Sequence, residues 1–78
     1  MGYEYIIEAD TSNRERWKRL IERLTQSPQY DRSFRAELVE GGIYFCEDAR
    51  SATSAVALRK LIDEALAIGP SVVIREAG

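Results

Sequence analysis

Seventy-eight residues carry 11 Lys and Arg against 13 Asp and Glu, a net charge of −2, with 45% hydrophobic and 31% charged side chains. A chain of this size forms one domain, residues 1–78, with the composition of a folded globular protein and no strong overall field for nucleic acid or an anionic membrane. No apolar run approaches the ~20 residues that span a bilayer, so no membrane is expected. The opening Met1-Gly2-Tyr3-Glu4-Tyr5 has no basic segment followed by an apolar one, and no secretion signal is expected. Ile6 stands where N-myristoylation wants a small hydroxyl residue. A single cysteine, Cys46, allows no intrachain disulfide, and the reducing cytoplasm is the expected compartment.

The first strand is expected over residues 3–9. Tyr3, Tyr5, Ile7 and Ala9 share one face, and Glu4, Ile6 and Glu8 the other. Ser12 with Glu15 fits a capping box for the following helix. In that helix Trp17, Leu20, Ile21 and Leu24 form an apolar stripe. It should stop at Ser27-Pro28, because a residue before proline avoids helical angles. Residues 26–31 read as a loop, with Tyr30 folded back on the core.

Phe34, Ala36 and Leu38 alternate with Arg35, Glu37 and Val39, as in a strand with one dry face. Gly41-Gly42 suits a two-residue turn with positive φ at both central positions. That register pairs Glu40 with Ile43, Val39 with Tyr44 and Leu38 with Phe45. Leu38, Ile43 and Phe45 then face the core, and Val39, Tyr44 and Cys46 face away.

Asp48 or Ser51 can cap the second helix. Around Leu58, the residues Ala55, Leu61, Ile62, Ala65 and Leu66 would fill its inward stripe, with Arg59, Lys60, Asp63 and Glu64 in water. Gly69-Pro70 is a stop signal. Residues 71–76 form a short last strand, with Val72 and Ile74 inward. The order strand–helix–strand–strand–helix–strand implies an α+β, ferredoxin-like βαββαβ sandwich. Its four antiparallel strands would run in the order 4-1-3-2, with both helices on one face. In the competing arrangement, the last strand does not pair.

Much chemistry is excluded. The chain has no histidine, so Ser–His–Asp and Cys–His nucleophiles are ruled out, and no structural zinc site is expected. No glycine-rich phosphate loop opens a helix, and no cofactor or metal is implied. Cys46, Glu47 and Asp48 are the only candidates for a small carboxylate- or thiol-dependent enzyme. Glu47 and Asp48 would oppose thiolate formation at Cys46, and Asp48 reads first as a cap, so the chain is expected not to be an enzyme.

Two surfaces carry the functional expectations. The sheet face without helices holds Ile6, Val39, Tyr44, Cys46 and Val73 as a candidate interface core. Glu4, Glu8, Arg35, Glu37 and Arg75 would form its rim. The second surface is the first helix, where five basic residues against Glu15 and Glu22 give +3 and leave −5 for the remainder. There Arg16, Arg19 and Arg23 form a basic ridge. The ordinary alternative is a solvated face with pairs Glu15–Arg19 and Lys18–Glu22, or contacts to Asp63 and Glu64.

The strand order and the segment Gly42-Ile43-Tyr44-Phe45-Cys46-Glu47-Asp48 faintly resemble the RNA-recognition motif and its third-strand signature. That family stacks bases on aromatic residues of the open face, which implies such a role for Tyr44. The chain departs from the pattern. Glu40 stands where a basic residue is wanted, only Tyr44 is placed to stack, and Glu4, Glu8 and Glu37 surround it. The expected function is a non-catalytic protein-interaction or self-association module, working with a partner or as a homodimer through the open face. Weak nucleic-acid binding through the ridge is the alternative.

Overall fold

The computed structural model describes residues 2–77. Six elements follow in the order β1 (Tyr3–Glu8), α1 (Arg14–Gln26), β2 (Phe34–Val39), β3 (Gly42–Glu47), α2 (Ala52–Ile68) and β4 (Val73–Glu76). The strands form one antiparallel sheet in the order β2-β3-β1-β4. This is the expected α+β ferredoxin-like layout read from the opposite edge. The last strand pairs with β1, so the competing arrangement is set aside.

One side of the sheet carries the core. Ile7, Phe34, Ile43 and Phe45 pack with Trp17 and Leu20 of α1 and with Ala57, Leu61 and Ala65 of α2. Phe34 and Phe45 stack at 5.3 Å between centroids, and Tyr30 meets Phe34 edge-on at 5.1 Å. The Tyr30 hydroxyl donates to Phe34 O at 2.8 Å, so the loop does fold back on the core. The Trp17 indole N–H donates to Asp10 O at 3.0 Å, which satisfies the one polar atom of a fully buried side chain.

Helix α1 begins one residue later than a Ser12 cap requires. Asn13 is its cap and accepts from Arg16 N at 3.2 Å. Ser12 is instead held in a local turn, its N–H donating to Asp10 Oδ1 at 2.9 Å. The side chain of Asp10 claims that N–H first, as short polar side chains do before helices. The helix ends at Ser27, which is extended before Pro28, as expected.

The hairpin register is also corrected. Val39 pairs with Gly42, Leu38 with Ile43, Glu37 with Tyr44 and Ala36 with Phe45. The turn residues are therefore Glu40 and Gly41, and of these only Gly41 has positive φ, at 80°. Gly42 lies inside β3 for a different reason. A Cβ there would stand 2.2 Å from Ile7 O on the neighbouring strand. The shift is two residues, one full pleat, so each side chain keeps its face while its partners change.

Helix α2 is capped by Ser51, not Asp48. Ser51 Oγ accepts from Ser54 N at 3.1 Å, and Ser54 Oγ lies 3.0 Å from Ser51 N, a reciprocal capping box. The buried stripe is Ser54, Ala57, Leu61 and Ala65, with Leu58 and Ile62 half-buried. Ala55 and Leu66, expected inside, are exposed, and Glu64, expected in water, is half-buried. The helix is apolar on most of its circumference, so its periodicity chooses a face weakly. Packing of small Ala57 and Ala65 over the sheet decided the rotation. Ile74 lies on the helix side but stays exposed, because it sits on the edge strand.

Candidate interaction surface

The face opposite the helices is crossed by three rows of side chains set by the strand register. The first row holds Arg35, Cys46 and Glu4; the second holds Glu37, Tyr44, Ile6 and Arg75. The third holds Val39, Gly42, Glu8 and Val73. Ile6 and Tyr44 are therefore direct neighbours on the two central strands. Val39 and Val73 lie at opposite edges, separated by Gly42 and Glu8. The five expected residues share the face, but only Ile6 and Tyr44 form a joined apolar centre.

Charges fix that centre diagonally. The Tyr44 hydroxyl donates to Glu4. Arg75 Nε donates to Glu8 Oε2 at 2.7 Å. The bond to Glu4 raises the phenol above its ordinary pKa of 10.0, because losing the proton would leave two anions facing each other; desolvation adds to it. Tyr44 stays neutral at every physiological pH.

Cys46 is on this face yet only 4% exposed. Gly2 lies over the thiol, Arg35 Nη2 is 3.7 Å from Sγ and Asp48 Oδ1 3.8 Å. The Cys46 contact, with Asp48 behind it, raises the Arg35 pKa. Cys46 therefore supports the face from beneath and offers little contact area. Glu47 points to the helix side and is buried, while exposed Asp48 sits 3.6 Å from Arg35. The two carboxylates do not converge. Among the described residues, no group of three or more His, Cys, Asp or Glu could hold a metal ion.

The basic ridge is divided by tertiary contacts. Arg16 is taken by Glu64 of α2, the contact weighed as the ordinary alternative. Arg19 and Arg23 line the same shallow groove and form no ion pair among the described residues. The pairs Glu15–Arg19 and Lys18–Glu22 are not formed there either.

A third feature escaped sequence reasoning. A cleft of about 700 Å³ lies between the helices, floored by Leu20, Leu24, Phe34 and Ala57, with Val56 and Lys60 on its wall. Its only sequence signal was an apolar residue, Val56, outside the expected stripe. The separation of two helices is not written in either one's period.

No helix among the described residues is long and apolar enough to cross a membrane. The chain matches no family model, no curated protein and no solved structure. The class is accordingly defined by fold and surface: a ferredoxin-like α+β sandwich with one uncovered sheet face.

Proposed function

We propose that this chain is a non-catalytic protein-interaction module, working in the cytoplasm, whose open sheet face meets a protein partner or a second copy. The observation that carries this reading is the direct pairing of Ile6 with Tyr44 at the centre of the uncovered face. Around it, Tyr44–Glu4 and Arg75–Glu8 hold polar groups in fixed directions. A small apolar centre supplies the contact area, and an ordered charged rim sets orientation.

Ile6→Lys is the appropriate test. A lysine there stands opposite Arg75 but between Glu4 and Glu8 on its own strand, whereas Tyr44→Glu would stand opposite Glu37 and also turn the bond to Glu4 into a repulsion. The variant should keep its fold and weaken association by about tenfold or more, because a lysine charge at the centre of the contact would be stripped of its water. Light scattering over a concentration series, or binding to a captured partner, measures it. Unchanged association would place the contact elsewhere.

A second reading is binding of a nucleic-acid backbone, favoured by Arg19 and Arg23, which form no ion pair among the described residues. If these two side chains carry the contact, log–log salt dependence should have a slope of no more than about −2. RNA titration at low salt tests this, and absence of binding there would end it.

A further inference from the structure

The sheet has two edges, and they are not equivalent. The β4 edge is four residues long, while the β2 edge is six. In β2 the turn closes at Val39–Gly42, so Val39, Glu37 and Arg35 direct their backbone groups toward β3. Phe34, Ala36 and Leu38 then direct theirs outward. Two contacts agree with this phase. Ser33 O accepts from Asp48 N at 2.7 Å on the β3 side, and the next carbonyl, Phe34 O, faces Tyr30.

We propose that two copies of this chain pair antiparallel through β2, with Ala36 facing Ala36 of the second copy across a two-fold axis. The two sheets then become one continuous sheet. This rests on reading the chain as an interaction module, and it names the contact of the self-associating form. A copy joined at its edge keeps its open face free.

The side chains select this register. Arg35 and Glu37 flank Ala36 on the open face and carry opposite signs. With Ala36 on the axis, Arg35 of each copy stands opposite Glu37 of the other. Sliding by one pleat in either direction puts Arg35 opposite Arg35, or Glu37 opposite Glu37, and like charges directly opposite are unfavourable. A slide by half a pleat turns the apolar positions to the wrong face.

Both charges are available. Glu37 has no ion pair or side-chain hydrogen bond among the described residues. Arg35 has Asp48 at 3.6 Å, but the two side chains are 67% and 50% exposed, so that contact is weak. On the helix side Leu38 of the second copy comes opposite Phe34, which is fully buried and covered by Tyr30. Phe34 O is taken by Tyr30 and Phe34 is fully buried, so the main-chain contact is the reciprocal Ala36 pair on the axis. One strand edge per copy is a small contact, so the dimer belongs to the weak, transient class.

The test uses the full chain carrying Ile6→Lys, which silences the open face. Sedimentation equilibrium up to millimolar protein should still find a dimer. Adding Glu37→Arg should weaken it by about tenfold or more, since each reversal acts twice across the axis. Adding Arg35→Glu as well should restore it, because the swapped charges match again. Ala36→Pro removes an outward N–H that β3 does not use, so the domain should fold and the dimer should be lost. A folded double-swap protein that stays monomeric, or a dimer that survives Ala36→Pro, would overturn the proposal. A strict monomer in Ile6→Lys alone sinks the edge and leaves the face reading standing. Association untouched by Ile6→Lys but lost on charge reversal sinks the face and keeps the edge.

Discussion

At the residue scale, Gly41 and Gly42 look interchangeable in sequence but answer different demands. Gly41 adopts φ of 80° with open space around its missing side chain. Gly42 has ordinary φ, but the Ile7 carbonyl stands where a Cβ would go. Gly41→Ala should therefore cost about 1–2 kcal/mol, the penalty of left-handed backbone. Gly42→Ala should cost about 3 kcal/mol or more, because backbone cannot move aside as a side-chain tip can. Urea denaturation of both variants checks the order, and equal costs would show that the strand spacing relaxes. In the sequence the glycine pair reads as both residues of a two-residue turn. The close approach of β1 has no local signature, since Ile7 lies more than thirty residues away in the chain.

At the element scale, the two helices differ in how well their own sequences orient them. In α1 the apolar residues are few and aligned, so Trp17 and Leu20 are buried as their spacing implies. In α2 alanine, valine, leucine and isoleucine occur around most of the circumference, and the expected stripe was turned. The consequence is measurable by thermal unfolding. Ala55→Glu and Leu66→Glu, at exposed positions, should change stability by no more than about 0.5 kcal/mol. Leu61→Ala, in a fully buried position, should cost about 2–5 kcal/mol. Large losses at Ala55 would return the helix to the orientation its periodicity suggested. The rotation also brings Glu64 round to Arg16, and so divides the basic ridge.

At the scale of the whole molecule, the open face is cross-tied by side chains from different strands. The link from Tyr44 on β3 to Glu4 on β1 responds to alkaline pH. The folded phenol has a pKa above the 10.0 of the unfolded chain. On alkalinisation the unfolded state therefore loses its proton first. The stability that Tyr44 contributes is complete below pH 10.0 and declines as pH rises beyond it. Tyr44→Phe should abolish that part of the alkaline decline, and at neutral pH it should lower stability slightly through the lost hydrogen bond. Denaturant midpoints measured across alkaline pH, with tyrosinate absorbance as the monitor, decide it. Identical alkaline slopes in the two proteins would mean that the bond to Glu4 does not persist in solution.

What the amino-acid sequence determined by itself was the order of elements, their stops at Ser27-Pro28 and Gly69-Pro70, the strand order and the face on which each strand residue lies. These follow from period-2 alternation, proline and the short hairpin, all local in the chain. The identity of the open-face residues was legible for the same reason, since Ile6, Val39, Tyr44, Cys46 and Val73 do share that face. Their neighbours were decided only by the tertiary structure. A two-residue register shift preserves every face while moving Glu37, not Val39, to a position opposite Tyr44. The burial of Cys46 under Gly2, the capture of Arg16 by Glu64 and the cleft between the helices belong to the same category. Each depends on the distance between segments remote in sequence, and no local period encodes that distance.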